Sequence, residues 1–315
     1  MRRFVAVLAV VSGSCGGGSG SETASSADSG WEIAFTPDSG IRVELAAEPA
    51  ARVDESGQVL LFYRDKSSES GATLLAISGD GLTFAAGLSS DRVRYPYDTQ
   101  LPDGRWRRYW FDSAAGAVKS LSSTDGSTWT ADEGVRYSLT SSDNGSMGIY
   151  DAFPDSAGGV TLLYLGDLYG LNNVRRAYST DGGETFTFTN GNVLGDDGAG
   201  GGGRSYVDQH SYPLPDGRRR MTCMKQGALP PQPGARTVGE IHSFVSSDEG
   251  KTWTYEAKLF DANSFGEFTV WSLNDPTMIR LGDGRYRIYV AALISDGAGG
   301  YKWVLLSATS ERARS

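Results

Sequence analysis

The chain has little of what thiol- and metal-dependent chemistry needs. It carries two cysteines and two histidines in 315 residues. With only His210 and His242, a histidine-rich metal site is excluded. No CxxC, HExxH, P-loop or GxSxG pattern occurs, so zinc, nucleotide and serine-hydrolase chemistry have no sequence support. No metal and no cofactor is expected. Helix signals are nearly absent as well, since no stretch sustains a 3.6-residue apolar period. Positive charge is the minority: 29 Lys and Arg stand against 38 Asp and Glu, a formal net charge of −9. That argues against nucleic acid or an anionic membrane surface as partner, because phosphate binding needs clustered Lys and Arg. A small anionic ligand stays open, since it needs only a few local arginines.

Long apolar runs are missing too. Phe4 to Val11 is an eight-residue apolar stretch behind Arg2 and Arg3. It is too short to span a bilayer, so it reads as a signal peptide. Ser12-Gly13-Ser14-Cys15 follows, similar to a bacterial lipobox with Ser12 where Leu is commonest. Residues 1–15 are therefore expected to be a leader ending in a lipidated Cys15, the only membrane attachment expected. Ordinary secretion is the alternative. Residues 16–30, rich in Gly, Ser and Ala, read as a flexible tether without a core. Residues 31–315 are expected to form one domain and a monomer. With Cys15 lipidated, Cys223 has no partner, and its place in RRRMTCM makes it a packed thiol.

What the chain does have is repetition. SGDGLTF (78–84), STDGSTW (123–129), STDGGETF (179–186) and SSDEGKTW (246–253) share one pattern. Ser and Asp side chains can bond the amides of a tight turn, Gly accepts positive φ, and Thr with an aromatic opens a strand. Aspartates bonded to their own turn are not free to react. Asp80, Asp125, Asp181 and Asp248 are therefore assigned to structure. A second element precedes each motif and occurs a fifth time after the last: DESGQVLLFY (54–63), LPDGRWRRYW (101–110), PDSAGGVTLLYL (154–165), LPDGRRRMTC (214–223) and LGDGRYRIYV (281–290). These are hairpin signals followed by strands. Arg105-Trp106-Arg107-Arg108-Tyr109 and Arg285-Tyr286-Arg287-Ile288-Tyr289 alternate visibly.

Each unit thus reads as four antiparallel strands, a propeller blade. Five units predict an all-β five-bladed propeller, with six blades as the alternative. The last unit lacks a fourth strand. Trp31–Phe35 or Ile41–Leu45 is expected to supply it and so remove an open sheet edge.

In such a ring the innermost strands line a central axis, where ligands bind. Those strands carry Asp98, Asp151, Asp208 and Asp275, with Glu48 in the comparable place of the first blade. Acids facing one axis repel, and their pKa values separate. Glycoside hydrolysis asks for such a pair, although the same acids could simply hold backbone amides. Glu240, beside His242 in GEIHSF, is a further candidate acid or an exposed strand residue. Asp208 and His210 are two apart, which predicts one shared face. The segments 195–205, with Asp196, Asp197 and Arg204, and 227–239, with Arg236, interrupt the repeat and could rim a site.

The four motifs resemble the Asp-box repeats of the sialidase superfamily, directly over residues 78 to 253 and by blade pattern over about 45–310. The resemblance implies a propeller that binds a substrate carboxylate through three arginines and uses a Tyr–Glu pair with an Asp acid/base. Ala51-Arg52-Val53-Asp54 looks like that family's Arg-Ile-Pro motif, with Val53 and Asp54 replacing Ile and Pro, which would make Arg52 the first arginine. Sialidases have six blades. Five blades and Asp275-Pro276 before a hairpin are similar instead to arabinanase/levansucrase-type propellers, which set two aspartates and a glutamate around the axis. Asp98, Asp151, Asp208 and Glu240 are the catalytic pool this implies; Arg52, His210, Asp275 and His242 are the binding candidates. The expectation is a glycosidase of the cell envelope acting on terminal sugars of a glycan. The alternative is a non-catalytic carbohydrate- or protein-binding propeller.

Overall fold

A computed structural model describes residues 34–311, apart from 69–70, 86, 90–96, 144, 146, 167–172, 195–205 and 227–238. The leader, Cys15 and the tether lie outside the described residues. So do the segment 195–205 and nearly all of 227–239, with Asp196, Asp197, Arg204 and Arg236.

The described chain forms five antiparallel sheets in sequence order, each one blade, with one short 3-10 turn at Ser141–Asp143. Blade 1 holds Ala46–Val53, Val59–Asp65, Thr73–Ser78 and Leu88–Ser89. Blade 2 holds Tyr97–Gln100, Trp106–Asp112 and Ala117–Ser123, and its outer place is shared by Thr130–Ala131 and Tyr137–Ser138. Blade 3 holds Met147–Pro154, Val160–Gly166, Asn173–Ser179 and Thr187–Asn190. Blade 4 holds Tyr206–Pro213, Arg219–Gln226, Gly239–Ser246 and Thr254–Phe260. Blade 5 holds Val270–Arg280, Tyr286–Ser295 and Tyr301–Ser310.

The fourth place of blade 5 comes from the N-terminal side of the domain, as the repeat count predicts. Both pieces contribute rather than one. Phe35 faces Ser310 and Pro37 faces Ala308, then Val43 faces Leu305 and Glu44 faces Val304. Tyr301–Ser310 is long enough to hold two short segments, and Asp38 fastens the excursion between them. Asp38 accepts hydrogen bonds from Ser307 Oγ at 2.6 Å and Thr309 Oγ1 at 2.9 Å.

The Asp turns are self-contained. Ser78 Oγ donates to Asp80 at 2.8 Å, and the same carboxylate accepts the Leu82 and Thr83 amides at 2.8 Å each. These amide bonds hold Asp80 down at about 2, and the corresponding ones at Asp125 also lower it. The two longer copies add Thr185 Oγ1 to Asp181 and Thr252 Oγ1 to Asp248, both at 2.6 Å.

The turns also receive the neighbouring blade. Tyr289 of blade 5 donates its hydroxyl to Gly81 O of blade 1 at 2.7 Å, and Arg287 Nη1 donates to Asp80 O at 2.6 Å. Blade 2 repeats the device on blade 3, with Tyr109 to Gly183 O at 3.2 Å and Arg107 Nη1 to Gly182 O at 3.3 Å. This is the function of the alternating Arg and Tyr in the second strands. It also explains the glycine: a Cβ on Gly81 (φ 69°) would sit 2.5 Å from Arg287 Nη1 and 2.8 Å from the Tyr289 hydroxyl. Packing between blades completes the ring; Val59 and Leu61 of blade 1 share one buried cluster with Tyr289, Ala291 and Leu305 of blade 5.

Candidate functional site

The inner strands do not run as regular pleats. Pairing with the second strand shifts between Ala47 and Ala50, between Val207 and His210, and between Asn274 and Thr277. Each shift is a bulge, and each holds one acid in the left-handed region: Glu48 at φ 53°, Asp208 at φ 56° and Asp275 at φ 49°. Bulges re-aim a side chain, and a non-glycine residue at positive φ is uncommon enough to mark a constraint. The three acids occupy the same level. Each lies six residues before the residue that opens its hairpin: Asp54, Leu214 and Leu281 respectively.

At that level they are linked across blades. The Asp275 amide and side chain bond the Asp208 carboxyl, and the Glu48 amide bonds the Asp275 carboxyl. Arg64 of blade 1 pairs with Glu48 at 3.2 Å. Asp208 and Asp275 keep some accessible surface, but protein surrounds them too closely for full solvation. Burial therefore pushes Asp208 up to about 7, and the Glu48 charge adds to the rise. Burial, then the charges of Asp208 and Glu48, pushes Asp275 well above the aspartate range. Two like charges in contact cannot both ionise cheaply, so the pair holds a proton near neutral pH. Cys223 is buried beside Asp208, which raises its thiol further; it is a packed thiol, as its sequence context predicts.

Asp98 and Asp151 do not belong to this group. The expectation of five acids in comparable places is corrected: they form two levels. Asp98 and Asp151 are three and four residues before their hairpins and line a cavity at the turn-side mouth. Asp98 is committed to Arg108, whose Nε and Nη2 donate to it at 2.6 and 3.1 Å, and lies 4.0 Å from Arg52. Asp151 accepts the Ser211 amide at 2.8 Å. Asp208 and His210 are likewise separated, because the extra residue at the bulge breaks the two-residue alternation. Asp208 joins the acid level, whereas His210 joins Asp151 and Arg219, and its burial lowers its pKa.

Glu240 and His242 stand on the third strand of blade 4, not on an axial strand. Glu240 lies 3.2 Å from His242 Nε2 and 3.5 Å from Lys258 Nζ, and faces Lys225 across the ladder. Tyr255 reaches His242 Nδ1 at 3.3 Å. The pair is a partly exposed polar cluster on the body of the blade, and the structure does not bring it to the acid level. Conversely, Glu48 and Asp275 belong at that level together with Asp208. Their sequence signal is the following proline: Pro49 and Pro276 sit inside inner strands, where a residue without an amide marks a bulge.

No protein-family model and no curated protein matches the sequence. Solved structures do match by shape. A Dyadobacter fermentans protein described as of unknown function is 14% identical, with a TM-score of 0.52, over 89% of this chain and 99% of that one. The Thermotoga petrophila endo-1,5-α-L-arabinanase is 12% identical, with a TM-score of 0.55, over 86% and 72%. An endo-1,4-β-xylanase from Bacteroides thetaiotaomicron is 10% identical, with a TM-score of 0.58, over 85% and 92%. At such identities the likeness establishes the propeller fold.

Proposed function

We propose that the chain is a glycoside hydrolase-type propeller acting on glycans, with its reaction centre at the Glu48, Asp208 and Asp275 level. One observation carries the reading: three carboxyls on bulges of blades 4, 5 and 1 are joined through amides, two of them enclosed so that burial favours their protonated form and the third paired to Arg64. Hydrolysis of a glycosidic bond needs a carboxylic acid to protonate the leaving oxygen and a carboxylate to activate water or attack the sugar. The Asp208–Asp275 pair supplies the acid, and Glu48 supplies the carboxylate. The solved glycosidases of similar shape act, by their names, on arabinan and xylan. That supports neutral pentose polymers as the first substrates to try. A sialidase-like specificity has weaker support, because Arg52 lies at the other mouth, away from these three acids. The apolar leader and Cys15 support display as an envelope lipoprotein, and a monomer is the reading for the assembly.

Hydrolysis of nitrophenyl arabinofuranoside, xyloside and sialoside, and of arabinan and xylan oligosaccharides, tests the proposal. Turnover that collapses in Asp208→Asn and Asp275→Asn is expected. No turnover of any of these substrates, together with binding on a glycan array, would replace the hydrolase with a carbohydrate-binding propeller.

A further inference from the structure

The turn-side mouth has its own chemistry, which the hydrolase reading does not use. It is a cavity of about 610 Å³ whose walls include Arg52, Arg219, Arg280, Asp98, Asp151 and His210. Arg219 is the informative group. Its guanidinium lies 3.7 Å above the Phe153 ring, and its Nε and Nη2 both donate to Ser211 Oγ, at 3.3 and 3.0 Å. Among the described residues no carboxylate comes within ion-pairing distance of it. Burial lowers it to about 10, so it remains charged at neutral pH. Among the described residues the hydrogen-bond partner of its guanidinium is a neutral hydroxyl, and the charge of Asp151 offsets its burial only in part, so the enclosed cation is costly unless an anion completes it.

The surrounding charges lead the same way. Asp98 is already held at two points by Arg108, so it gives Arg52 a distant contact at 4.0 Å, beside a long hydrogen bond from Arg52 Nη2 to Gly126 O at 3.5 Å. Arg52 Nε is buried without a hydrogen-bond partner. Arg280 opens toward solvent at the end of its strand. Three arginines (52, 219 and 280) therefore share the cavity with two aspartates (98 and 151), of which Asp98 is already neutralised by Arg108, a local excess of positive charge in a chain whose net charge is −9. Trp106 and Tyr212 add flat walls to the same cavity. Guanidinium groups present paired donors that suit carboxylate, phosphate and sulfate oxygens.

We propose that this mouth is a second binding site, separate from the acid level, for a small oxyanion held by Arg219 with Arg52 and Arg280. The oxyanion is either a free tetrahedral ion or the carboxylate of a sugar acid. The site does not depend on whether the acid level hydrolyses glycans.

Thermal melting and isothermal titration of the purified full chain with phosphate, sulfate, glucuronate and acetate, against chloride at matched ionic strength, test the proposal. Saturable binding is expected, weakened at least tenfold in Arg219→Met and unchanged in Lys302→Met, whose lysine pairs with Glu44 on the outer strands. Tighter binding of phosphate and sulfate assigns a free tetrahedral ion. Tighter binding of glucuronate than of acetate assigns a sugar acid. No binding beyond the chloride control, or equal binding by wild type and Arg219→Met, overturns the site. Circular dichroism of Arg219→Met confirms that the ring has folded.

Discussion

The two ends of the channel are made by the same five inner strands, yet they are opposite in charge. At one end three acids sit on bulges in left-handed backbone, linked to one another through amides. At the other end, two or three residues nearer the hairpins, acids are already bonded and arginines face the cavity. The difference lies in backbone geometry more than in composition. A bulge inserts one residue and turns one side chain out of the pleat, so it can hold an acid where a regular strand would place an ordinary wall residue. Beyond the bulge, alternation resumes and the strands carry side chains that pair with the second strand. One propeller can thus keep a proton-holding mouth and a cationic mouth a few residues apart on each strand.

The strongest way to break this comparison is to remove the acids. Asp208→Asn and Asp275→Asn are each expected to cut kcat/KM on an active glycoside by about 10²- to 10⁴-fold, the scale of a lost proton donor. Asp98→Asn should cost far less, because Asp98 is occupied by Arg108. Equal losses at Asp98 and Asp208 would dissolve the distinction between the mouths.

The second test is pH. Asp208 binds its proton more tightly folded than unfolded, so between the ordinary value of 3.8 and about 7 the native state holds more protons. Stability must then fall as pH rises through that window, and the contribution is lost above it. Asp208→Asn removes that fall. Its melting temperature is expected to exceed the wild type's by several degrees (~3–6 °C) at pH 8, with the gap closing toward pH 4. A constant gap across pH would place the proton elsewhere.

Smaller still is the effect of an Asp turn. Asp181→Ala loses the Ser179, Thr185 and amide bonds and is expected to cost about 1–2 kcal/mol of stability by urea unfolding, with kcat/KM unchanged. The smallest effect is expected at Glu240, an exposed-side ion pair. Glu240→Gln should change kcat/KM by less than about twofold and stability by under about 0.5 kcal/mol. A large kinetic loss there would move the acid to blade 4's third strand.

Much of the fold was legible because its signals are local. The Ser-Asp-Gly-Thr turns and the DG hairpins each carry their own geometry, and counting them yields five blades. The Arg and Tyr of the second strands read as alternation, although their landing on the next blade's turn could not be inferred from one strand. The site was less legible. Asp208 and His210 look like neighbours on one face until a bulge separates them. Asp98 and Asp151 look equivalent to Asp208 until their distance from the hairpin is measured. Pro49 and Pro276 were the available clue, since each interrupts an otherwise regular inner strand. What no local pattern reveals is the contact between blades 4, 5 and 1 that links Asp208, Asp275 and Glu48.

The outer strand of blade 5 carries a consequence for biogenesis. Phe35–Pro37 and Val43–Glu44 emerge from the ribosome before the other described strands, but their partner, Tyr301–Ser310, emerges after all of them. Until then the ring stays open, and the second edge of blade 5 has nothing to cover it. The blades can assemble one after another while the chain is being made, but the latch closes once, at the end.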